Sequence, residues 1–268
     1  MSSNFESASA LNACLRERYA QVLDLRLLRE LAGQRNLSGL FVPAASDSYL
    51  RSKVRVMIVG RETAGWGRLR TDLASPAHAC IDAYLARQMN FHQEKVMRVG
   101  ARSKFFQFYR ATSRKVAALE DRETGNAPVW ANLFCFDEGR TRPDRHGHAT
   151  TEAIVRLSRD LLQIQIDVLQ PEWIVFATGS SCDRYLRAHF PDRIGSTVHI
   201  PKVIWEFKLP LPTGDGRQAV AFRTPHPRHA ASSNARTAVI DESLQPGAIA
   251  AHLRVHLRAL SQAEAAHD

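Results

Sequence analysis

An acid, an amide and an imidazole stand at the ends of three apolar runs. Val54-Arg55-Val56-Met57-Ile58-Val59 leads into Gly60-Arg61-Glu62-Thr63-Ala64-Gly65-Trp66-Gly67. Pro128-Val129-Trp130-Ala131 leads into Asn132, and Ala219-Val220-Ala221-Phe222 leads through Arg223-Thr224-Pro225 to His226-Pro227-Arg228. A carboxylate such as Glu62 can position water or steady a cationic sugar, and an imidazole such as His226 can stabilise charge on a leaving base. The Asn132 amide offers a donor beside an acceptor, enough to pair with a pyrimidine edge and to tell a carbonyl from an amino group. Each residue alone has an ordinary explanation: a surface ion pair for Glu62, a turn cap for Asn132, a stiff turn between two prolines for His226. Their shared placement shifts the balance, because the carboxyl ends of the strands form the ligand crevice of an open α/β sheet, and glycines there admit close backbone approach.

Such convergence requires strands that alternate with helices and run parallel. Leu15, Tyr19, Val22, Leu23 and Leu27 share one helical face, which predicts an amphipathic helix over 8–32 lying as a lid on the core. Further helices are expected over 76–95 and from Ser103, a capping residue, through Phe105, Phe106, Phe108 and Tyr109. Residues 128–134 read as a buried strand, and the segment Asp137–His148 after it is too polar for core. Ile154, Leu157, Leu161, Ile164 and Val168 recur at helical steps, with Thr150 as cap and Pro171 as stop. A strand over Trp173–Ala177, a turn at Gly179 and a short helix from Ser180 or Ser181 follow, the helix ending before Pro191. Short apolar runs at Thr197–Ile200, Val203–Phe207 and Ala219–Phe222 look like strands, and Ala248–Leu260 like a closing helix. The expected fold is α/β, a three-layer αβα domain over 46–268 with a central, mainly parallel sheet and right-handed crossovers. Residues 1–45 form a helical extension packed on it.

The chain has 268 residues, with 36 Lys and Arg against 27 Asp and Glu, a formal charge of +9. That excess favours a polyanionic partner, nucleic acid first, through phosphate contacts and counterion release. Arg140, Arg142, Arg145 and Arg228 are the expected phosphate contacts, since both basic loops follow strands carrying candidate site residues. Cys14, Cys80, Cys135 and Cys182 show no C-x-x-C pair and no zinc-type His/Cys spacing. They read as reduced core thiols, and neither metal nor cofactor is expected. No basic, apolar leader opens the sequence and no apolar run is long enough to cross a bilayer, so a cytoplasmic monomer is the expectation.

Taken in order, these motifs resemble the uracil-DNA glycosylase superfamily from about Val54 to Arg228. Val56-Met57-Ile58-Val59-Gly60-Arg61-Glu62-Thr63 is similar to the first glycosylase motif, an apolar strand ending at Gly with an acid near the scissile bond. Trp130-Ala131-Asn132-Leu133 is similar to the strand whose Asn reads uracil, residues 169–179 to a structural strand-to-helix segment, and His226-Pro227-Arg228 to the His-Pro-Ser motif. The resemblance implies base excision repair: a metal-independent DNA glycosylase that flips out uracil or a related deaminated base and hydrolyses its N-glycosidic bond. It implies that Glu62 supports water activation, His226 holds the leaving-base oxyanion and Asn132 reads the base, with Gly60, Arg61, Trp66 and Phe105 around it. Trp66, Phe91 and Phe105 compete as the stacking ring. The chain departs from the pattern at Thr63, where Pro commonly follows the acid, and at Arg228, in place of a phosphate-pinching Ser. No apolar wedge stands out among residues 229–233, and the cysteines do not match the iron–sulfur branches. Two other readings stay open: a catalytically silent nucleic-acid-binding module of this fold, and a small-molecule nucleoside or nucleotide hydrolase.

Overall fold

The structure is a computed structural model describing residues 5–74, 80–97, 103–119, 128–228 and 232–244. Six strands form one sheet: β1 (Val56–Gly60), β2 (Val129–Asn132), β3 (Trp173–Phe176), β4 (Ile194–Ile200), β5 (Ile204–Pro210) and β6 (Gln218–Arg223), in the spatial order β2-β1-β3-β6-β5-β4. Strands β2, β1, β3 and β6 are mutually parallel, whereas β5 is antiparallel to both β6 and β4. Only β5 therefore runs against the rest, and the sheet is mixed but mostly parallel. Its reversal follows from chain length: residues 201–203 and 211–217 are too short to hold a crossover helix, so each link makes a hairpin. β1, β2 and most of β3 are buried along their whole length, which is why their sequences read as unbroken apolar runs.

Helices cover both faces of the sheet, in agreement with the α/β expectation. One face carries Met57, Val59, Ala131, Ile174, Phe176 and Ala221, packed under α1 (Ala8–Val22), α7 (Thr151–Leu169) and α8 (Asp183–His189). The other carries Val56, Ile58, Trp130, Val175 and Phe222, against Tyr109 and Val116 of α6 (Lys104–Leu119) and Val239 and Ile240 of α9 (Ser232–Leu244). Among the described residues, the remaining α-helices are α2 (Leu25–Gln34), α3 (Asp47–Leu50), α4 (Leu69–Leu73) and α5 (Ile81–Met97). Among the described residues, no helix is long and apolar enough to cross a membrane.

The single helix expected over 8–32 is two. Leu23 and Asp24 are both extended, which ends α1, and the Asp24 carboxylate accepts the Arg26 N–H at 2.8 Å, capping α2. Ser103 caps α6 as expected, its hydroxyl accepting the Phe106 N–H at 3.2 Å. α7 stops at Gln170, which turns left-handed at φ 47° ahead of Pro171. Thr150 sits at the start of α7 without capping it; its hydroxyl accepts Arg35 Nη1 at 3.4 Å instead. The first residues of the helix expected from 76, and all of that expected over Ala248–Leu260, lie outside the described residues.

Candidate functional site

The parallel strands bring the sequence candidates to one rim. Gly60 and Asn132 are register partners at the carboxyl ends of β1 and β2. Pairing continues beyond the strands, with Leu133 N–H donating to Gly60 O at 2.9 Å and Phe134 N–H to Arg61 O at 2.8 Å. On the other side of β1, Ala177 N–H donates to Val59 O at 2.9 Å. Thr224 N–H reaches Phe176 O at 2.9 Å, and Gly179 N–H reaches Thr224 O at 3.0 Å. The segments carrying Glu62, Asn132 and His226 thus leave the same rim of the sheet, the turn after β3 standing between the first two and His226. The chain steps from β1 to β2 on one side and returns to β3 on the other, so Glu62 follows a strand at a topological switch point.

Gly60 is required for close approach. A Cβ there would lie 2.5 Å from Asn132 Oδ1 and 3.0 Å from Cε2 of Phe105. The Phe105 ring therefore lies against the end of β1 beside the amide. Trp66 does not. It is 3% exposed, with its ring centroid 5.0 Å from Phe41, 4.6 Å from Phe91 and 5.5 Å from Trp130. This is an aromatic core beneath the rim, so Trp66 and Phe91 support the site from below and Phe105 is the ring left beside Asn132.

Asn132 is 4% exposed, and its Oδ1 accepts the Trp130 indole N–H at 3.0 Å, while Nδ2 has no partner. The Glu62 side chain is 6% exposed; Oε1 lies 3.3 Å from Arg61 Nη2 and Oε2 is unpartnered. Burial raises the Glu62 pKa above the usual carboxylate range, opposed by the positive charges of Arg61, Arg142 and Arg228 and reinforced by Asp137. His226 is half-buried, and burial together with Arg61, Arg228 and Arg236 lowers its pKa to about 3. Its Nδ1 accepts the Arg228 backbone N–H at 3.2 Å. A neutral ring with an accepting Nδ1 carries its proton on Nε2, so His226 is a donor there. Arg61 and Arg228 act on both Glu62 and His226 and tie the two into one electrostatic neighbourhood.

The four arginines assigned to phosphate separate into two kinds. Arg140, Arg145 and Arg228 are exposed. Arg142 is buried, paired with Asp144 at 3.1 Å and donating to Cys182 Sγ at 3.1 Å. Its guanidinium fastens the loop after β2 to the turn after β3 and is not presented to solvent.

Sequence reasoning missed Asp137 as the organiser of the glycine loop. Its Oδ2 accepts Thr63 Oγ1 at 2.6 Å and Gly65 N–H at 2.7 Å, and its Oδ1 accepts Arg140 N–H at 2.9 Å. The one signal in the sequence is an acid immediately after the apolar run through Phe136. A second fastening holds the polar loop: Arg35 pairs with Glu138 through Nη2 and, at 3.2 Å, through Nε, and Nη2 donates to Pro143 O at 2.9 Å. Hydrogen bonding to Arg35 keeps the Glu138 carboxylate below its ordinary range against the opposing effect of burial. Among the described residues, no group of three or more His, Cys, Asp or Glu side chains converges to hold a metal ion. No family model and no curated protein sequence matches the chain.

Proposed function

We propose that this protein is a DNA glycosylase acting on uracil or a related deaminated base. The observation that carries this reading is the geometry of His226 at the strand-end rim: its Nδ1 is occupied by a backbone N–H and burial favours the neutral ring, leaving Nε2–H to donate. Charge appears on a leaving base only as the glycosidic bond breaks, and a fixed neutral donor stabilises it without first pairing with the substrate. Asn132 supplies a buried N–H donor for the base edge, and Phe105 a ring against which the base stacks. Glu62, held among arginines with one oxygen unpartnered, orients water and favours a cationic sugar. The exposed Arg140, Arg145 and Arg228 supply phosphate contacts.

The low exposure of Asn132 and Glu62 favours, as a second reading, a binding module whose base pocket is closed. Single-turnover assays on oligonucleotides carrying uracil, hypoxanthine or xanthine, with and without chelator, separate the two. Base release that resists chelator supports the glycosylase. DNA binding with no release of any base supports the silent module, and hydrolysis of free nucleosides without action on DNA supports a small-molecule hydrolase.

A further inference from the structure

An amide can sit in its site in two ways, related by a half-turn that exchanges oxygen and nitrogen. At Asn132 the choice is forced by a neighbour two residues back on the same strand face. The Trp130 indole N–H lies 3.0 Å from the amide and can only donate, so the atom it faces must be the acceptor Oδ1. The opposite flip would set a donor against a donor inside an aromatic layer formed by buried Phe41, Trp66 and His92 and half-buried Phe105 and Phe106 around Trp130. Gly60 closes the oxygen from another side, since a Cβ at that position would stand 2.5 Å from Oδ1. The remaining polar atom, Nδ2, is buried and has no partner.

Resting on the glycosylase reading above, the geometry points to Trp130 as the positioning residue that sets base specificity, by locking Asn132 so that it presents N–H donors and rejects exocyclic amino groups. A carbonyl placed against Nδ2 completes its hydrogen bonding. An amino group at the same place opposes donor to donor, and the lock prevents the amide from turning over to accommodate it. Uracil presents a carbonyl and an N3–H where cytosine presents an amino group and a bare N3, so a freely turning amide could match either edge while the locked one favours the deaminated base. Trp130 does not touch the base; its effect passes through Asn132.

The test is Trp130→Phe, which keeps an aromatic ring in the layer and removes the N–H. Single-turnover release is measured on matched oligonucleotides carrying uracil or cytosine. In the variant the preference for uracil over cytosine should fall about ten- to a hundredfold, the equivalent of one buried donor left unsatisfied. The ratio of the two rates is the readout because a general loosening of the core slows both substrates alike. Should Trp130→Phe fail to fold, 3-benzothienylalanine incorporated at position 130 preserves the bicyclic shape without the N–H. Uracil release by the parent with an unchanged preference in the variant overturns this inference alone. Absence of release from every base by the parent overturns the glycosylase reading, and this inference with it.

Discussion

Substitution of Gly60 by Ala tests the closest approach at the candidate site. The added methyl group would sit 2.5 Å from Asn132 Oδ1 and 3.0 Å from Phe105 Cε2. One neighbour is an amide held by an indole and the other a ring within an aromatic layer, so neither has a free direction of retreat. Overpacking a well-filled site costs about 1–3 kcal/mol. Displacing the amide also strands the buried Trp130 N–H, at about 1–3 kcal/mol. Replacing a strand glycine returns about 0.5–1 kcal/mol of backbone entropy. The net expectation is destabilisation by about 1–5 kcal/mol. Gly33 in α2 is the control: a Cβ there meets nothing within 4 Å, so Gly33→Ala should stabilise by about 0.5–1 kcal/mol. Urea unfolding of both variants, with a check that the slope stays constant, gives the comparison. A Gly60→Ala protein as stable as the parent would refute the close packing of amide and ring against β1. In that case the proposed pocket loses its floor.

Further outcomes follow from the same geometry. His226→Ala should slow single-turnover base release about a hundred- to a thousandfold with little change in oligonucleotide affinity, the loss typical of one transition-state donor. Because the folded-state pKa of His226 is about 3, below the ordinary 6.5, its donor role should persist from pH 8 down to 5, and its contribution to stability should fall only as pH drops from about 6.5 toward 3. Glu62→Gln should also slow release while leaving duplex affinity equal or slightly higher; parental rates in both variants would make the strand-end residues structural. Neutralising Arg140, Arg145 and Arg228 should reduce the salt slope of duplex binding by about 0.9 for each phosphate left without its guanidinium, whereas Arg142→Ala should cost about 1.5–3 kcal/mol of stability. An unchanged slope in the first case, or an unchanged unfolding midpoint in the second, would reverse those assignments.

Much of this architecture was legible from particular residues. Continuous apolar runs mark β1 to β3 because both faces of these strands are covered, and the heptad-like steps from Ile154 to Val168 mark α7 because one stripe faces the sheet. Strand-end placement of Glu62, Asn132 and His226 could be read because parallel strands share one carboxyl rim. Less legible were features decided by competition between neighbours. Leu23 and Asp24 turn extended and break a helix whose apolar periodicity runs straight through them. Trp66 has the composition of a surface platform, yet Phe41, Phe91 and Trp130 claim it for the core. Arg142 is indistinguishable in sequence from Arg140 and Arg145 until Asp144 and Cys182 are seen around it. The amide orientation of Asn132 likewise depends on a side chain whose indole could have faced elsewhere.

The backbone bonds that outlast the strands have a consequence in time. Leu133, Phe134, Ala177, Gly179 and Thr224 each donate across a strand end into the neighbouring segment. Together they form a continuous ribbon of amides across the rim, from the segment after β2 to the segment after β6. None of these bonds can open by fraying of a free end, because each is flanked by paired sheet on one side and by a tethered loop on the other. Their amide protons should exchange with solvent as slowly as those of the sheet interior, and rearrangement at the rim should be confined to side chains. The ribbon therefore separates two clocks in the molecule: rotamer motions at the site run fast, while the separation of its loops changes only when the sheet itself comes apart.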